Sequence, residues 1–287
     1  MINLQKANFG KRIIAAIFDG ILLSIIAVGL IALFSGVLKS DDYLNKVNAS
    51  YAKYESQYGI EFKITEQQYN ELSTQEKSDW DDAYSALLDD EDAIYAYNMY
   101  INLTLLSTTF SILIGVIIIE FVVPLIFGNG QTLGKKIFGV ALMHKEGIRV
   151  NNVQLFARAV LGKFALELMI PVYIIMMIVF NSIGIISIAI LFVLLVIEII
   201  CLITSHTNSL LHDVLAGTVS VDMASQRIFE SREALIEHTK ALHAQKVAKT
   251  KYQAILNYIF ITYIIFHTKG NQYEGCIRKL DKNFPQP

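Results

Sequence analysis

Charged side chains are scarce in this sequence. Asp, Glu, Lys and Arg make up only 17% of the residues, whereas about a quarter is usual for a soluble domain. Apolar residues make up 54%, and they gather into long tracts at 13–38, 101–127 and 164–203. About 20 consecutive apolar residues are enough to cross the hydrocarbon core of a bilayer. The composition therefore excludes an ordinary soluble domain and predicts an integral membrane protein.

Cysteine is also scarce, and the motifs of several enzyme classes are missing. The two cysteines, Cys201 and Cys276, cannot build a disulfide framework and lack the spacing of metal ligands. There is no His-Glu-x-x-His zinc motif and no nucleophile elbow. The acidic run from Asp79 to Asp82 fails as a calcium loop, because Ala83 takes one ligand position. We expect no enzymatic activity, no metal, no cofactor and no nucleic-acid partner.

The apolar tracts divide into four predicted transmembrane helices, at 13–38, 101–127, 164–181 and 184–203. The last tract is long enough for two helices, and Asn181-Ser-Ile-Gly184 supplies a turn between them. The first tract lacks a small-residue cleavage site, so we expect an anchor rather than a signal peptide. The predicted fold is an all-α membrane protein with four spans, a helical external loop, a small cytoplasmic hairpin and a cytoplasmic C-terminal helix.

Basic residues are distributed unequally between the segments that connect the spans. Lys6, Lys11 and Arg12 precede the first span, and the segment between the second and third spans is also basic. Because short basic segments stay in the cytoplasm, both should face inward. The segment 39–100, with fourteen Asp or Glu against five Lys, is then external. This threading places both termini in the cytoplasm.

The external segment shows two helix-start signals, at Thr65-x-x-Gln68 and Ser73-x-x-Glu76. Each has the spacing of a capping box, in which two side chains satisfy backbone donors reciprocally. The segment is therefore predicted to be helical and to run into the second span. Two roles are open for it: a solvated acidic cap, or a funnel that concentrates cations at the outer surface.

The inner segment favours a β-hairpin that turns at Lys145-Glu-Gly147. Its strands would be Lys136 to His144 and Ile148 to Val150, after which Asn152 would cap the helix that becomes the third span. The predicted membrane domain covers 1–222. The tail, 223–287, should hold a charged helix and a short apolar segment at 254–266, which is too short to span and is expected at the membrane interface.

The predicted spans contain acidic side chains near their cytoplasmic ends. A carboxylate inside a membrane helix costs about 2.5 to 3.5 kcal/mol, so each one needs a partner or a function. With a rise of about 1.5 Å per residue, all of them lie within about 10 Å of the inner surface and form one layer. The four acids are Asp19, Glu120, Glu167 and Glu198.

Ion pairing explains some of these acids better than others. Arg12 lies two turns from Asp19 but could instead be shared with Asp213, and Lys163 lies four residues from Glu167. Glu120 and Glu198 have no basic neighbour on their own helices. If these two glutamates face each other, repulsion and burial should let one of them hold a proton near neutral pH. The pair His212-Asp213 is more often a satisfied pair than a catalytic or metal-binding one.

Three blocks of sequence, in order, resemble the RDD family of bacterial membrane proteins. The blocks are Gly10-Lys-Arg12 with Asp19, then Gly130-Gln-Thr-Leu-Gly134-Lys135 with Arg158, and finally Leu211-His212-Asp213-Val-Leu-Ala-Gly217-Thr218. The resemblance covers residues 9 to about 222 and makes Arg12, Asp19 and Asp213 the naming residues, with Gly134, Lys135, Arg158 and His212 in support. It implies a transport role, since members have been put forward as sodium/proton antiporters.

The sequence and the resemblance together predict a small-cation/proton exchanger in the bacterial inner membrane. Asp19, Glu120 and Glu198 are the predicted cation-binding or proton-carrying groups, and Arg12 with Asp213 is an internal gate or strut. Four spans are few for enclosing a pathway, so a homodimer is expected. The alternative is a membrane scaffold or assembly partner, in which the acids merely pair with basic side chains. The exchanger and the scaffold hypotheses differ in whether Glu120 and Glu198 face each other across a polar cavity or lie apart against basic side chains.

Overall fold

The computed structural model describes residues 4–179, 185–205 and 209–281. The chain forms two compact units, the first ending at Ile228 and the second beginning at Phe229. In chain order, the elements are α1 (Phe9–Leu38), α2 (Ser40–Tyr58), α3 (Glu66–Glu71), α4 (Thr74–Asp89), α5 (Glu91–Val116), α6 (Val123–Phe127), α7 (Leu133–Ile137), β1 (Val140–His144), α8 (Asn152–Phe156), α9 (Met169–Val179), α10 (Ile185–Thr204), α11 (Leu211–Ala216), β2 (Thr218–Asp222) and α12 (Arg232–Asp281). Two π-helical segments, Ile117–Val122 and Ala157–Leu168, connect α5 to α6 and α8 to α9.

Within these ranges, three helical stretches have the length and apolar composition needed to cross a membrane: Phe9–Leu38, Glu91–Phe127 and Asn152–Ile178. A shorter apolar helix, Ile188–Thr204, occupies the region of the predicted fourth span. The mostly helical membrane architecture thus agrees with the sequence, while the fourth span stays a prediction. The predicted turn at Asn181 to Gly184 lies outside the described residues.

The second and third long helices extend beyond the predicted spans at their N-termini. They start at Glu91 and Asn152, whereas the predicted spans start at 101 and 164, because polar helix-forming residues precede each apolar tract. The predicted cap at Asn152 is wrong by one position. Asn151 is the cap, and its side chain and that of Gln154 form a capping box.

The three long helices pack together through small and apolar side chains. Ala27 of α1 lies in one buried cluster with Ile112 and Val116 of α5, and with Ala159 and Met169 of the third stretch. This cluster lies beside the ionisable residues described below. Most other side chains of α1, such as Ile17 and Ile25, are exposed in the isolated chain, as expected for a helix surrounded by lipid.

The acidic segment, residues 39–100, is helical as predicted. Both capping boxes, at Thr65 with Gln68 and at Ser73 with Glu76, are formed. The helices pack around buried and half-buried aromatic side chains, among which Phe62 contacts Tyr51, Trp80 and Tyr84. Asp90 caps α5 and also accepts hydrogen bonds from Lys53 and Tyr54, which ties α2 to the start of α5.

The predicted hairpin forms only around its turn, and the main partner of its first strand is a different one. A tight turn does form at Gly147, and one bridge joins Met143 to Arg149. However, β1 pairs along its whole length with β2, antiparallel, from Val140 opposite Asp222 to His144 opposite Thr218. The reason is burial, since both strands lie in an apolar cluster that a three-residue return strand could not cover. Lys136 and Ile137, predicted in the first strand, belong to α7.

The second unit, as far as it is described, consists mainly of a long helix. α12 runs from Arg232 to Asp281, so helix begins eight residues later than the predicted 224 and continues far beyond 250. The apolar segment at 254–266 is not a separate element but lies inside this helix. Up to Ile264, where side chains are described, its residues are exposed.

Candidate functional site

Asp19 is buried inside α1 and binds the start of α7. Its Oδ1 accepts a hydrogen bond from the Gly134 backbone N–H at 2.8 Å, and its Oδ2 accepts one from Thr132 Oγ1 at 2.5 Å. Thr132 is also the N-cap of α7. The free N–H groups at a helix N-terminus favour a negative charge, which explains why a carboxylate is stable here. α7, rather than Arg12, therefore supplies the hydrogen bonds that Asp19 needs.

The close approach of α7 to α1 requires a glycine at position 134. A Cβ at this position would lie 2.9 Å from Asp19 Oδ1 and would collide with the carbonyl oxygen of Ala15. Only a residue without a side chain lets α7 come near enough to α1 for the backbone N–H to reach the carboxylate. The glycine of the Gly-Gln-Thr-Leu-Gly-Lys block thus has a local packing role.

Arg158 lies between two buried acids. Its Nε donates to Asp213 Oδ1 at 2.9 Å, and its Nη1 donates to Glu120 Oε2 at 3.0 Å. Thr218 Oγ1 also donates to Asp213 Oδ1, and Arg12 Nη2 lies 3.7 Å from Asp213 Oδ2. Burial by itself would raise the pKa of Asp213, but the positive charge of Arg158 holds that pKa well below its usual range. Of the two partners open for Arg12, the structure places Asp213 beside it.

Glu120 is surrounded by positive charge. Besides Arg158, its carboxylate contacts Lys163 through a hydrogen bond, and Lys135 Nζ lies 3.6 Å from Glu120 Oε2. Of the two arrangements left open for Glu120, the structure thus shows the one against basic side chains, and no contact with Glu198 is found among the described residues. Glu120 has three cationic partners because residues from α7 and the third long helix converge on it. The sequence of its own helix could not indicate these partners. We call Arg12, Glu120, Lys135, Arg158, Lys163 and Asp213 the charge network.

The π-helical winding explains why Arg158 and Lys163 reach the same carboxylate. Hydrogen bonds in a π-helix run from i to i+5, so residues five apart lie on one side. In an α-helix, two residues five positions apart would be separated by about 140° around the axis. Arg158 and Lys163 are five residues apart in the second π-helical segment, and both reach Glu120. The predicted i,i+4 pair of Lys163 with Glu167 is replaced by this arrangement.

Glu167 pairs instead with His212. The carboxylate accepts the His212 backbone N–H at 3.0 Å and lies 2.6 Å from His212 Nδ1. Burial, with the nearby charge of Arg158, lowers the pKa of His212, so a neutral ring with its proton on Nδ1 fits this contact. A Cβ on Gly162 would lie 2.5 Å from His212 Cβ, so this glycine lets α11 approach the third long helix.

Glu198 lies next to this pair, on α10. Its Oε2 accepts the backbone N–H of Leu211 at 3.2 Å. Its Oε1 is buried and has no hydrogen-bond partner among the described residues. Glu167 is close enough to Glu198 to repel its charge. Glu198 therefore lies beside another acid, although that acid is Glu167 and not Glu120.

Two cavities open beside these groups, and they differ in the charge of their walls. The larger, about 270 Å³, is lined by the carboxylates Asp19, Glu120 and Glu167 and by one ammonium, Lys163; we call it the acid-lined cavity. The smaller, about 100 Å³, has more cations than acids in its walls; we call it the base-lined cavity. Its charged lining residues are Arg12, Lys135, Arg158, Lys163, Asp19 and Asp213.

Sequence reasoning found most of these residues but missed several of their partners. Thr132 and Thr218, which bind Asp19 and Asp213, were not expected, and neither was the Lys163 contact with Glu120. Thr132 carried a signal, because a threonine directly before a short helix is a typical N-cap. The π-helical segments have no comparable sequence signal.

A comparison with protein families gives a match over most of the chain. The model of the RDD family matches residues 6–217, which include the first two sequence blocks and the third as far as Gly217. Searches of curated proteins and of solved structures gave no match. On the strength of the family model, this chain belongs to the RDD family of membrane proteins.

Proposed function

We propose that this chain exchanges a small cation for protons across the membrane through the acid-lined cavity. The observation that carries the proposal is the composition of that cavity: three carboxylates and one ammonium line a space of about 270 Å³ between the long helices. Ionisable residues inside membrane helices usually mark ion or proton pathways. Carboxylate oxygens are also the ligands that hard cations prefer.

The individual acids have different parts in this proposal. Asp19 and Glu120 line the cavity and supply negative charge to a cation. Glu198 carries the proton, because its Oε1 is buried without a partner and Glu167 lies beside it. Arg12 with Asp213 acts as a strut, joined to Glu120 through Arg158.

The proposed setting is a bacterial inner membrane, with both termini and the charge network on the cytoplasmic side and the acidic segment outside. The basic stub and the basic segment around Lys145 support this orientation. Single cysteines at Lys63 and Lys145, in a background without Cys201 and Cys276, test it with a membrane-impermeant thiol reagent on intact cells. Labelling should occur at position 63 only. Labelling at position 145 instead would show that the orientation in the membrane is the reverse of the one proposed.

A homodimer is part of the proposal, because few spans are available to enclose a pathway. The exposed apolar face of α1, with Ile17 and Ile25, is available to a second copy or to lipid. Chemical cross-linking in membranes, followed by electrophoresis, should give a dimer band. A monomer at all cross-linker concentrations would leave a single chain to form the pathway.

Transport is tested with purified protein in liposomes that hold a proton gradient. Addition of Na⁺ or K⁺ should collapse the gradient, and Glu198→Gln should abolish this, because Gln keeps the size of the side chain but cannot titrate. Glu66→Gln, an exposed change in the acidic segment, is the matched control and should exchange normally. Full exchange by Glu198→Gln would remove Glu198 from the mechanism.

A scaffold function is the second candidate, and the surroundings of Glu120 favour it, because they are basic side chains and not Glu198. Glu120 is already compensated by Arg158, Lys135 and Lys163, as expected of a purely structural ion-pair cluster. In that case the acids would only hold the helices together. Liposomes in which the native, folded protein leaves the gradient unchanged for both cations would favour the scaffold.

A further inference from the structure

The base-lined cavity contains a buried cation that its neighbours do not satisfy. Lys135 is only 8% exposed, and its Nζ has no hydrogen-bond partner among the described residues. The nearest carboxylate oxygen, Glu120 Oε2, is 3.6 Å away and already accepts a hydrogen bond from Arg158. A buried ammonium without hydrogen bonds is costly, which indicates that this position suits a further acceptor.

The charges around Lys135 in this cavity come from three different parts of the chain. α1 contributes Arg12 and Asp19, and the second π-helical segment contributes Arg158 and Lys163. α11 contributes Asp213, along with the His212 ring. Asp19 accepts hydrogen bonds from α7, as described above, and Asp213 Oδ1 accepts one from Arg158, whereas Asp213 Oδ2 has no hydrogen-bond partner among the described residues. The walls of the cavity present four cations against two carboxylates.

We propose that the base-lined cavity binds a phosphate group, carried either by a phospholipid headgroup or by free phosphate. Lys135 would donate to its oxygens, with Arg12, which also lines the cavity, as the second cation. Phosphate suits this cavity because its several oxygens can accept from more than one basic side chain at once. Basic pockets between membrane helices on the cytoplasmic side are a known type of lipid headgroup site.

Two further features agree with a phosphate ligand. Burial, followed by the charge of Arg158, lowers the pKa of Lys135 to about 8, so its ammonium remains mostly charged at neutral pH. Phe9 and Ile13 also line the cavity and are 55% and 42% exposed. Apolar side chains at the rim would accommodate the acyl chains of a lipid but add nothing for free phosphate. Asp19 and Lys163 line both cavities, but Lys135 lines only the base-lined one, so binding at Lys135 can be tested without the exchange.

The proposal is tested by two binding measurements on the full chain in detergent. Inorganic phosphate is titrated by calorimetry, with sodium gluconate as the ionic-strength control. Native mass spectrometry of protein mixed with phosphatidylglycerol or with phosphatidylcholine reports retained lipid. Saturable phosphate binding alone identifies free phosphate as the ligand, and selective retention of phosphatidylglycerol identifies a headgroup. Absence of both in the native protein overturns the proposal, whatever any variant does.

Variants show whether Lys135 is responsible. Lys135→Gln should weaken binding at least about tenfold, since it removes one charge-assisted interaction. Lys135→Arg should restore most of it. The control is Lys136→Gln, because Lys136 is exposed and lies over the ring of Phe127 instead. Equal binding by Lys135→Gln and Lys136→Gln, both folded by size-exclusion chromatography, would exclude the cavity as the site.

Discussion

The acidic segment and the charge network are stabilised in opposite ways. The acidic segment relies on contacts between residues that are at most about fifty positions apart in the chain. These contacts are the capping boxes and the aromatic cluster around Phe62. The charge network joins residues up to 201 positions apart, as in the contact of Arg12 with Asp213. One region is a locally folded surface structure, whereas the other exists only after the long helices have assembled. We therefore expect changes in the acidic segment to have local effects and changes in the network to affect the whole membrane domain.

The largest loss should come from Arg158→Met. This change leaves Glu120 and Asp213 buried without the side chain that joins them, and breaking a buried ion pair from one side typically costs about 3 to 5 kcal/mol. The yield of monodisperse protein, measured by fluorescence-detected size-exclusion chromatography, should fall sharply. Arg158→Lys should recover only part of it, because one ammonium cannot reproduce the fork of a guanidinium. A normal yield for Arg158→Met would show that the network does not hold the helices together.

Phe62→Ala should destabilise the acidic segment alone. Removing a fully buried aromatic side chain typically costs about 3 kcal/mol or more, and the loss here should be smaller because Phe62 is half-buried. Hydrogen exchange followed by mass spectrometry should show faster exchange across residues 40–90, with unchanged protection in 110–130. Equal acceleration in both ranges would mean that the two regions unfold together, contrary to the comparison.

Part of this comparison was predictable from sequence. The capping boxes depend on residues three apart, and the spans depend on continuous apolar runs, so both were visible in the chain itself. The partner of β1 lies more than 70 residues away, and a short local turn at Gly147 competed with it. Glu120 gained its three cations through tertiary packing and through a π-helical segment that no periodicity revealed. Local signals therefore predicted the elements, while the pairing inside the site required the assembled fold.

Gly134→Ala should have a smaller effect on the network. The added methyl would displace α7 from Ala15 and Asp19, and overpacking of this kind costs about 1 to 3 kcal/mol. Gly20→Ala is the matched control, since a Cβ there meets no atom within 4 Å. Thermal unfolding in detergent should show a lower midpoint for Gly134→Ala only. Equal midpoints for the two variants would argue against the close approach.

Lys135 should give the charge network a small pH dependence. Its pKa is lowered to about 8 in the native state, against about 10.4 for an unfolded lysine. Between these values the unfolded chain binds more protons, so stability should rise with pH, by about 1 kcal/mol between pH 8 and pH 9. Lys135→Gln should lack this increase when denaturant unfolding is followed at both pH values. A difference between native and variant that stays constant from pH 7 to pH 10 would contradict the lowered pKa.

The most direct test of the central claim is proton release on cation binding. Purified protein in weakly buffered detergent solution is mixed with Na⁺ or K⁺, and a pH indicator records the protons that appear. The account predicts release from the native protein and from Glu66→Gln, and its loss in Glu198→Gln, with choline chloride giving no signal in any of them. Folded native protein that releases no protons with either cation, or equal release from Glu198→Gln, would contradict it.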